Sequence, residues 1–361
     1  REPAEFLKEV LVGEHLEDIV VLPNGLELLE LHALPEDLLQ LMEGSANVMD
    51  LAQRLRGQER LLKKYTGDLE FITPSRQQCE VLPKWQRKEK VQHVKPYLGK
   101  QIEELLRLEA VGALNPRLVY LAELRLRKVE SHPISGEQVR TVCLRGMKDL
   151  LGAYATWSLY WDRSDEGFFA GGPGSGKGSH IDQVLWSNLG KNWSGYKLLA
   201  IWPKGEISKS IVEEFHDRLF SPPLLERELS ALEKASKIAL LRPGDVYIFS
   251  GGVAHTALCI SEGLCCGSYE SFVSLNPKHV ELFLHSTDTK GPFCVGGDFT
   301  MPPKHVDNIK DVMMQQLEEA VAGPRSCTSE VSAWTKLRDE LSQDRLFQEK
   351  LRRCFAATVD L

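Results

Sequence analysis

From Phe168 onward the sequence breaks into short apolar runs punctuated by glycine, and this change of rhythm constrains the fold more than any other feature. Apolar runs this short, each bounded by turn residues, cannot bury themselves as long helices and read as paired strands. Lys197 to Trp202, Val246 to Phe249, Val253 to Ile260 and Ser268 to Leu275 are the expected strands. Between the first two, Ile211 to Leu240 reads as a largely helical insertion, broken at Pro222-Pro223, with Leu225, Leu229 and Leu232 on one stripe.

Residues 1 to about 150 follow a different period. Leu34, Leu38, Leu41 and Met42, then Ile102, Leu105, Leu106 and Leu108, recur mostly at spacings of three and four, as on amphipathic helices. Pro35 suits a first helical turn, where its missing amide proton costs nothing. Val306 to Ala322 and Glu330 to Phe355 read as helices again, divided at Gly323-Pro324. Trp334, Leu337, Leu341 and Leu346 give the second a face for docking on the sheet or on a second subunit. The expected organisation is therefore a mainly helical region over 1–150, a β-rich region over 151–300 with its insertion at about 211–240, and C-terminal helices over 301–361.

Composition excludes several classes. With 361 residues, 42% apolar and 26% charged, the chain can bury a sizeable core, and no apolar run is long enough to span a bilayer. A net charge of -7 argues against a chain built mainly to coat nucleic acid. Two local basic runs, Lys84 to Lys100 with Trp85 and Tyr97 interleaved, and Arg125 to Lys128, read as solvated faces, the first being the place to test for a substrate partner. Eight scattered cysteines without C-x-x-C pairs argue against a zinc ribbon and suit a reduced, intracellular chain, nuclear or cytoplasmic. The adjacent Cys265 and Cys266 are expected to pack as small apolar residues. The start at Arg1 is read as that of a fragment or a processed product.

Within the β-rich region, Gly171-Gly172-Pro173-Gly174-Ser175-Gly176-Lys177-Gly178-Ser179 runs straight into His180-Ile181-Asp182. Side chains alternate along a strand, so His180 and Asp182 point the same way, and a partner strand can add His255. Two imidazoles and one carboxylate on one face leave coordination positions open, which is the facial triad of non-haem Fe(II) oxygenases.

The order of these elements carries a resemblance. A glycine-rich approach to H-I-D, then Gly195-Tyr196-Lys197 entering an apolar strand that ends at Pro203, then Pro243-Gly244-Asp245, a strand, Gly251-Gly252 and His255, resembles the JmjC branch of the cupin-fold 2-oxoglutarate oxygenases. The likeness spans roughly residues 165 to 277. It implies an α+β fold with a double-stranded β-helix (jelly-roll) core between helical N-terminal and C-terminal regions. It also implies that His180, Asp182 and His255 bind Fe(II), that Lys197 grips the distal carboxylate of 2-oxoglutarate, and that the substrate is a protein or peptide, a histone among the candidates. The product would be a hydroxylated side chain or a demethylated lysine. Lys177 stands where many relatives carry a threonine that helps to hold the cosubstrate. Further cosubstrate-orienting candidates are Asn188, Asn192, Ser268 and Ser271, with Asn188 taken as cofactor-binding.

Two other readings stay open. Gly171 to Lys177 fits the phosphate loop G-x-x-x-x-G-K of a nucleotide kinase, which requires a preceding strand and a helix opening at the lysine. A JmjC-like scaffold that binds a partner without chemistry is the other.

Overall fold

Two antiparallel sheets carry the chain, and helices cover them. The computed structural model describes Phe6 and residues 18–28, 36–72, 79–81, 98–126, 167–182, 187–203, 205–250 and 253–272. In chain order the elements begin with β1 (Val20–Leu22), α1 (Gly25–Leu28), α2 (Glu36–Glu43), α3 (Val48–Arg56), α4 (Glu59–Lys64), β2 (Tyr65–Ile72), β3 (Cys79–Val81), α5 (Leu98–Ala110) and β4 (Val119–Leu126). There follow β5 (Gly167–Gly171), β6 (Gly176–Ile181), β7 (Ser187–Ser194), β8 (Lys197–Ile201), α6 (Glu206–Phe215), α7 (Glu226–Glu233), β9 (Lys237–Leu241), β10 (Val246–Ser250), β11 (Ala254–Cys259) and β12 (Cys265–Phe272).

The larger sheet runs β1-β10-β7-β12-β5-β4-β2-β3 and the smaller one β6-β11-β8-β9. From β5 to β12 successive strands alternate between the sheets, except that β8 and β9 stay together in the smaller one on either side of the insertion. The sheets share an apolar layer: Leu199, Ile201, Ala239 and Leu241 of the smaller sheet pack with Tyr247 and Phe249 of the larger. Each residue there sits two positions from the next on its strand, so the period of two sets the inner face.

Helices build a second layer on the other face of the large sheet. Val48, Leu51, Ala52 and Leu55 of α3 and Leu98, Ile102 and Leu105 of α5 pack on Leu69, Val119, Leu121 and Phe168. Gln101 ties α5 to β2 by accepting from the Leu69 amide at 2.9 Å and donating to the Gly67 carbonyl at 3.0 Å. Asn47 caps α3 by accepting from the Asp50 amide, satisfying one of the N-terminal donors that no helical carbonyl reaches.

Of the expected helical spacing, Leu38, Leu41 and Met42 fall on α2 and Ile102 to Leu108 on α5, while Leu34 lies outside the described residues. The same region also contributes β1 to β4, so it is not helical alone. Strand β2, Tyr65-Thr66-Gly67-Asp68-Leu69-Glu70-Phe71-Ile72, mixes polar and apolar residues in a way that only pairing with β4 makes legible. The insertion holds α6 and α7, but its last segment is a strand: Lys237–Leu241 pairs along all of β8. Leu225 and Leu229 are 48% and 49% exposed, so they do not form the docking stripe. The insertion instead covers the outer face of the small sheet with Ile211, Val212, Phe215 and Ala231, closed over Trp202 and Ala200. Trp202 donates its indole N–H to the Ala231 carbonyl at 2.7 Å.

The Pro243-Gly244-Asp245 turn has a structural role. Asp245 accepts from the amides of Arg242, at 2.8 Å, and Asn24, at 3.3 Å, and so fixes the entry to β10. The expected C-terminal helices, the two domain boundaries, Pro35 and most of both basic runs lie outside the described residues. Among the described residues no helix is long and apolar enough to cross a membrane.

Candidate metal centre and anion pocket

His180 on β6 and His255 on β11 are direct partners across an antiparallel pair. Their ring centroids lie 4.1 Å apart. Each ring spends one nitrogen on the backbone: Nδ1 of His180 donates to the Gly178 carbonyl at 2.8 Å, and Nδ1 of His255 to the Val253 carbonyl at 3.1 Å. A carbonyl can only accept, so the proton sits on Nδ1 in both rings and each Nε2 presents a lone pair.

Asp182, one residue beyond β6, faces both of them. Its Oδ1 is 3.5 Å from His180 Nε2 and its Oδ2 is 3.4 Å from His255 Nε2. The three ligand atoms all lie within 4.8 Å of one another. Asn188 on β7 donates to Asp182 Oδ2 at 2.9 Å and sets the angle of the carboxylate. Burial, and then the neighbouring His255, hold the His180 imidazole well below its ordinary value, at about 3, against the opposing pull of Asp182. It is therefore neutral near pH 7, the form a metal ion takes. Phe249 packs edge-on to His255, centroids 4.9 Å apart.

Lys177 reaches this face through an irregularity. His255 pairs with His180 but Ala257 pairs with Lys177, so β6 spends one more residue than β11 over that step. Such a bulge re-aims side chains. It brings Lys177, three residues before His180, to the row that strict alternation would deny it, and its charge lowers the His180 pKa.

Farther along the same interior, Lys197 opens β8 opposite Cys259. It is 1% exposed, and its Nζ has no hydrogen-bond partner. Burial opposes its charge, but the negative charges that Tyr269, Cys265, Cys259 and Cys266 take on when they ionise hold the ammonium above its ordinary value. A buried, unpaired cation is costly unless something anionic completes it. Nζ sits 5.5 Å from the centroid of the Tyr269 ring. Gly267, on β12, makes the room: a Cβ there would stand 2.8 Å from Nζ.

Tyr269 links the two ends of the interior and has no counterpart among the residues singled out in the sequence. Its ring packs edge-on to Phe169 at 5.2 Å and to Tyr247 at 5.7 Å, and Phe249 bridges onward to His255. Burial, and then Tyr269 itself, push the Tyr247 phenol up, so it stays protonated and donates to Tyr269 Oη at 2.5 Å. A strand aromatic reads in sequence as core, and only the pairing of β12 with β5 and β7 shows where it faces.

The other candidates separate. Asn188 is in the site. Asn192, on β7, faces the Lys197 end of the interior: it donates to the Gly195 carbonyl at 2.7 Å, and its Oδ1 accepts from Cys265 Sγ at 3.9 Å. Ser268 lies on the opposite face of β12 and accepts from the Trp193 indole at 2.7 Å, so it does not meet the interior. Ser271 stands in register opposite Asn188, and its side chain lies outside what is described. The phosphate-loop reading fails on geometry, because Gly176–Ile181 is a strand, and no helix N-terminus opens at Lys177. Its glycines answer to close packing: a Cβ at Gly176 would stand 2.0 Å from the Ala257 carbonyl oxygen, and one at Gly178 2.2 Å from that of Asp217.

No family model matches the chain, and no curated protein does. Among solved structures it is similar to the ribosomal oxygenase YcfD of Escherichia coli, at 13% identity and a TM-score of 0.36, over 86% of this chain and 66% of that one. It is likewise similar to YcfD in complex with cobalt and 2-oxoglutarate, at 13% identity and a TM-score of 0.35, over 88% and 67% of the two chains. For the complex with cobalt and succinic acid the values are 13% and 0.36, over 93% and 69%. The chain spans about two thirds of the length of these structures.

Proposed function

We propose that this chain is an Fe(II)- and 2-oxoglutarate-dependent dioxygenase of JmjC type acting on a protein or peptide. The observation that carries the reading is Lys197: a fully buried ammonium without a hydrogen-bond partner, in the same interior as three convergent metal ligands. A metal site alone fits many chemistries, but a metal with a buried cation farther along the same interior fits an anion that must touch both. The donor set of two imidazoles and one carboxylate suits Fe(II), and the alternation of strands between two antiparallel sheets supports the reading of a double-stranded β-helix.

In this reading His180, Asp182 and His255 hold the metal on one face, and Asn188 keeps the Asp182 carboxylate turned toward it. Lys197 and the Tyr269 hydroxyl bind the far carboxylate of the dicarboxylate by charge-assisted hydrogen bonds, with Lys177 as a second cation on the flank. Phe249, Tyr247 and Phe169 wall the interior against water. Bound there, Fe(II) supplies the redox chemistry by which O₂ and 2-oxoglutarate become succinate, CO₂ and a hydroxyl group on the substrate. A hydroxylated side chain results, or a demethylated lysine where the attacked carbon is an N-methyl group. An intracellular setting with its reducing conditions belongs to the same proposal.

The test is succinate release from 2-oxoglutarate by the purified chain with Fe(II), with and without candidate peptides including histone tails. Turnover that needs both additions and is lost in His180→Ala is expected. Equal signals from the wild type and His180→Ala would leave a non-catalytic scaffold, and metal analysis of the protein then separates a metal-bearing scaffold from an empty one.

A further inference from the structure

Beside Lys197 the interior holds a second reactive pair that the proposed chemistry does not use. Cys259 closes β11 and Cys265 opens β12, at the two ends of the Ile260–Leu264 connection between the small sheet and the large one. Both are free thiols, both are buried, and both belong to one cluster with Tyr120 and Ala122. Gly171 brings them together: it is the register partner of Cys265, and a Cβ placed on it would stand 3.0 Å from Cys259 Sγ. Cys265 Sγ donates to Asn192 Oδ1 at 3.9 Å, and Cys259 shares its cluster. Cys266, the next residue, turns to the other face of β12, where its Sγ meets Met42 Sδ at 3.5 Å among the helices.

The pair is unlike in character. Cys265, bonded by the Cys259 thiol and next to the Lys197 charge, is pulled down to about 7 in spite of its burial. Cys259, as the donor to Cys265 and itself buried, is pushed up. Its register partner is Lys197. One sulfur is thus poised as a nucleophile beside a cation, and the other waits as a thiol within reach of it, the arrangement of an attacking and a resolving cysteine.

We propose that Cys259 and Cys265 are a redox modification site, which a hydroperoxide converts to a disulfide on the floor of the Lys197 pocket, and which a dicarboxylate bound at Lys197 shields. The shielding rests on the function proposed above; the disulfide does not. In the first step the Cys265 thiolate attacks the outer peroxide oxygen, the O–O bond breaks, and an alcohol or water leaves with a proton, giving a sulfenic acid. In the second, the Cys259 sulfur attacks the sulfenic sulfur, its proton leaves with the hydroxide as water, and the S–S bond forms. The two thiols lose two electrons and the peroxide gains them.

The experiment treats the reduced full chain with hydrogen peroxide and maps its peptides without reduction, with fragmentation that separates Cys265 from Cys266. A loss of two hydrogens joining Cys259 to Cys265 is expected in the wild type and in Cys266→Ser, reversed by dithiothreitol and absent from Cys259→Ser and Cys265→Ser. Succinate or 2-oxoglutarate, added without metal, slows the loss in proportion to pocket occupancy. A wild type that keeps both thiols, or that links Cys266 instead, overturns the inference, and this result needs no variant to fold. Oxidation indifferent to the dicarboxylate overturns the shielding, and with it the placing of the cosubstrate at Lys197, while the disulfide stands. Succinate release, measured separately, reports on the oxygenase reading whatever the thiols do.

Discussion

His180 and His255 stand opposite each other on β6 and β11, each with its Nδ1 proton given to the carbonyl two residues earlier. The two imidazoles are thus locked in one tautomer before any metal arrives, with both free nitrogens turned to Asp182. Replacing either histidine by alanine removes a ligand and is expected to abolish stoichiometric Fe(II) or Co(II) binding in calorimetry. Asn188→Ala leaves all three ligands but frees the carboxylate, and is expected to weaken metal binding by about 10–100-fold. Unchanged affinity in Asn188→Ala would show that Asp182 needs no orienting partner.

The depressed His180 pKa makes metal-free stability depend on acid. Above the unfolded value of about 6.5 both states leave the ring neutral, and the contribution is complete. Between there and about 3 the unfolded chain binds a proton that the native site refuses, so stability falls as pH is lowered through that window. Thermal melts of the metal-free protein from pH 7 to pH 4 are expected to show this decline, with a shallower slope in His180→Gln. Parallel slopes would place the acid sensitivity elsewhere.

Lys197→Met should separate stability from binding. Methionine keeps much of the length and removes a buried donor without a hydrogen-bond partner, so the free protein is expected to keep its fold in denaturant unfolding. The stabilisation that 2-oxoglutarate or succinate gives the wild type in thermal melts is expected to vanish in the same variant. A destabilised variant that still responds to succinate would mean that the ammonium is satisfied within the protein.

Gly267→Ala tests the same pocket from the opposite sheet. The added methyl meets the end of a flexible side chain at 2.8 Å and the Lys191 carbonyl oxygen at 3.1 Å, a contact that a shift of a few tenths of an ångström relieves, so the fold is expected to survive while Lys197 Nζ is displaced and dicarboxylate affinity drops by about tenfold, or 1.4 kcal/mol. Wild-type affinity would show that the ammonium does not lie over Gly267 when the pocket is filled.

Much of this was legible in the sequence where physics acts locally. The spacing of Ile102, Leu105, Leu106 and Leu108 gives a helix because one face must be buried, and His180 and Asp182 share a face because a strand alternates. What escaped depends on pairing. In Lys237–Leu241 the inward Ala239 and Leu241 alternate with outward Ile238 and Leu240, which are also apolar, so the run shows no period and merged with the helical insertion. Lys177 faces the site only because β6 slips by one residue against β11, a property of two strands together. Tyr269, like any apolar-looking strand residue, gains its place beside Lys197 only when the register of β12 is known.

The carboxylate, the imidazoles and the ammonium groups proposed here for the metal and for the dicarboxylate all come from the smaller sheet or its margin: His180, Asp182 and Lys177 with β6, His255 on β11 and Lys197 on β8. The larger sheet contributes neutral partners, Asn188 and Tyr269. The division frees the far edge of the larger sheet from any duty to the chemistry, so β2 and β3 can be lengthened, recoded or used to grip another molecule without moving one charged donor.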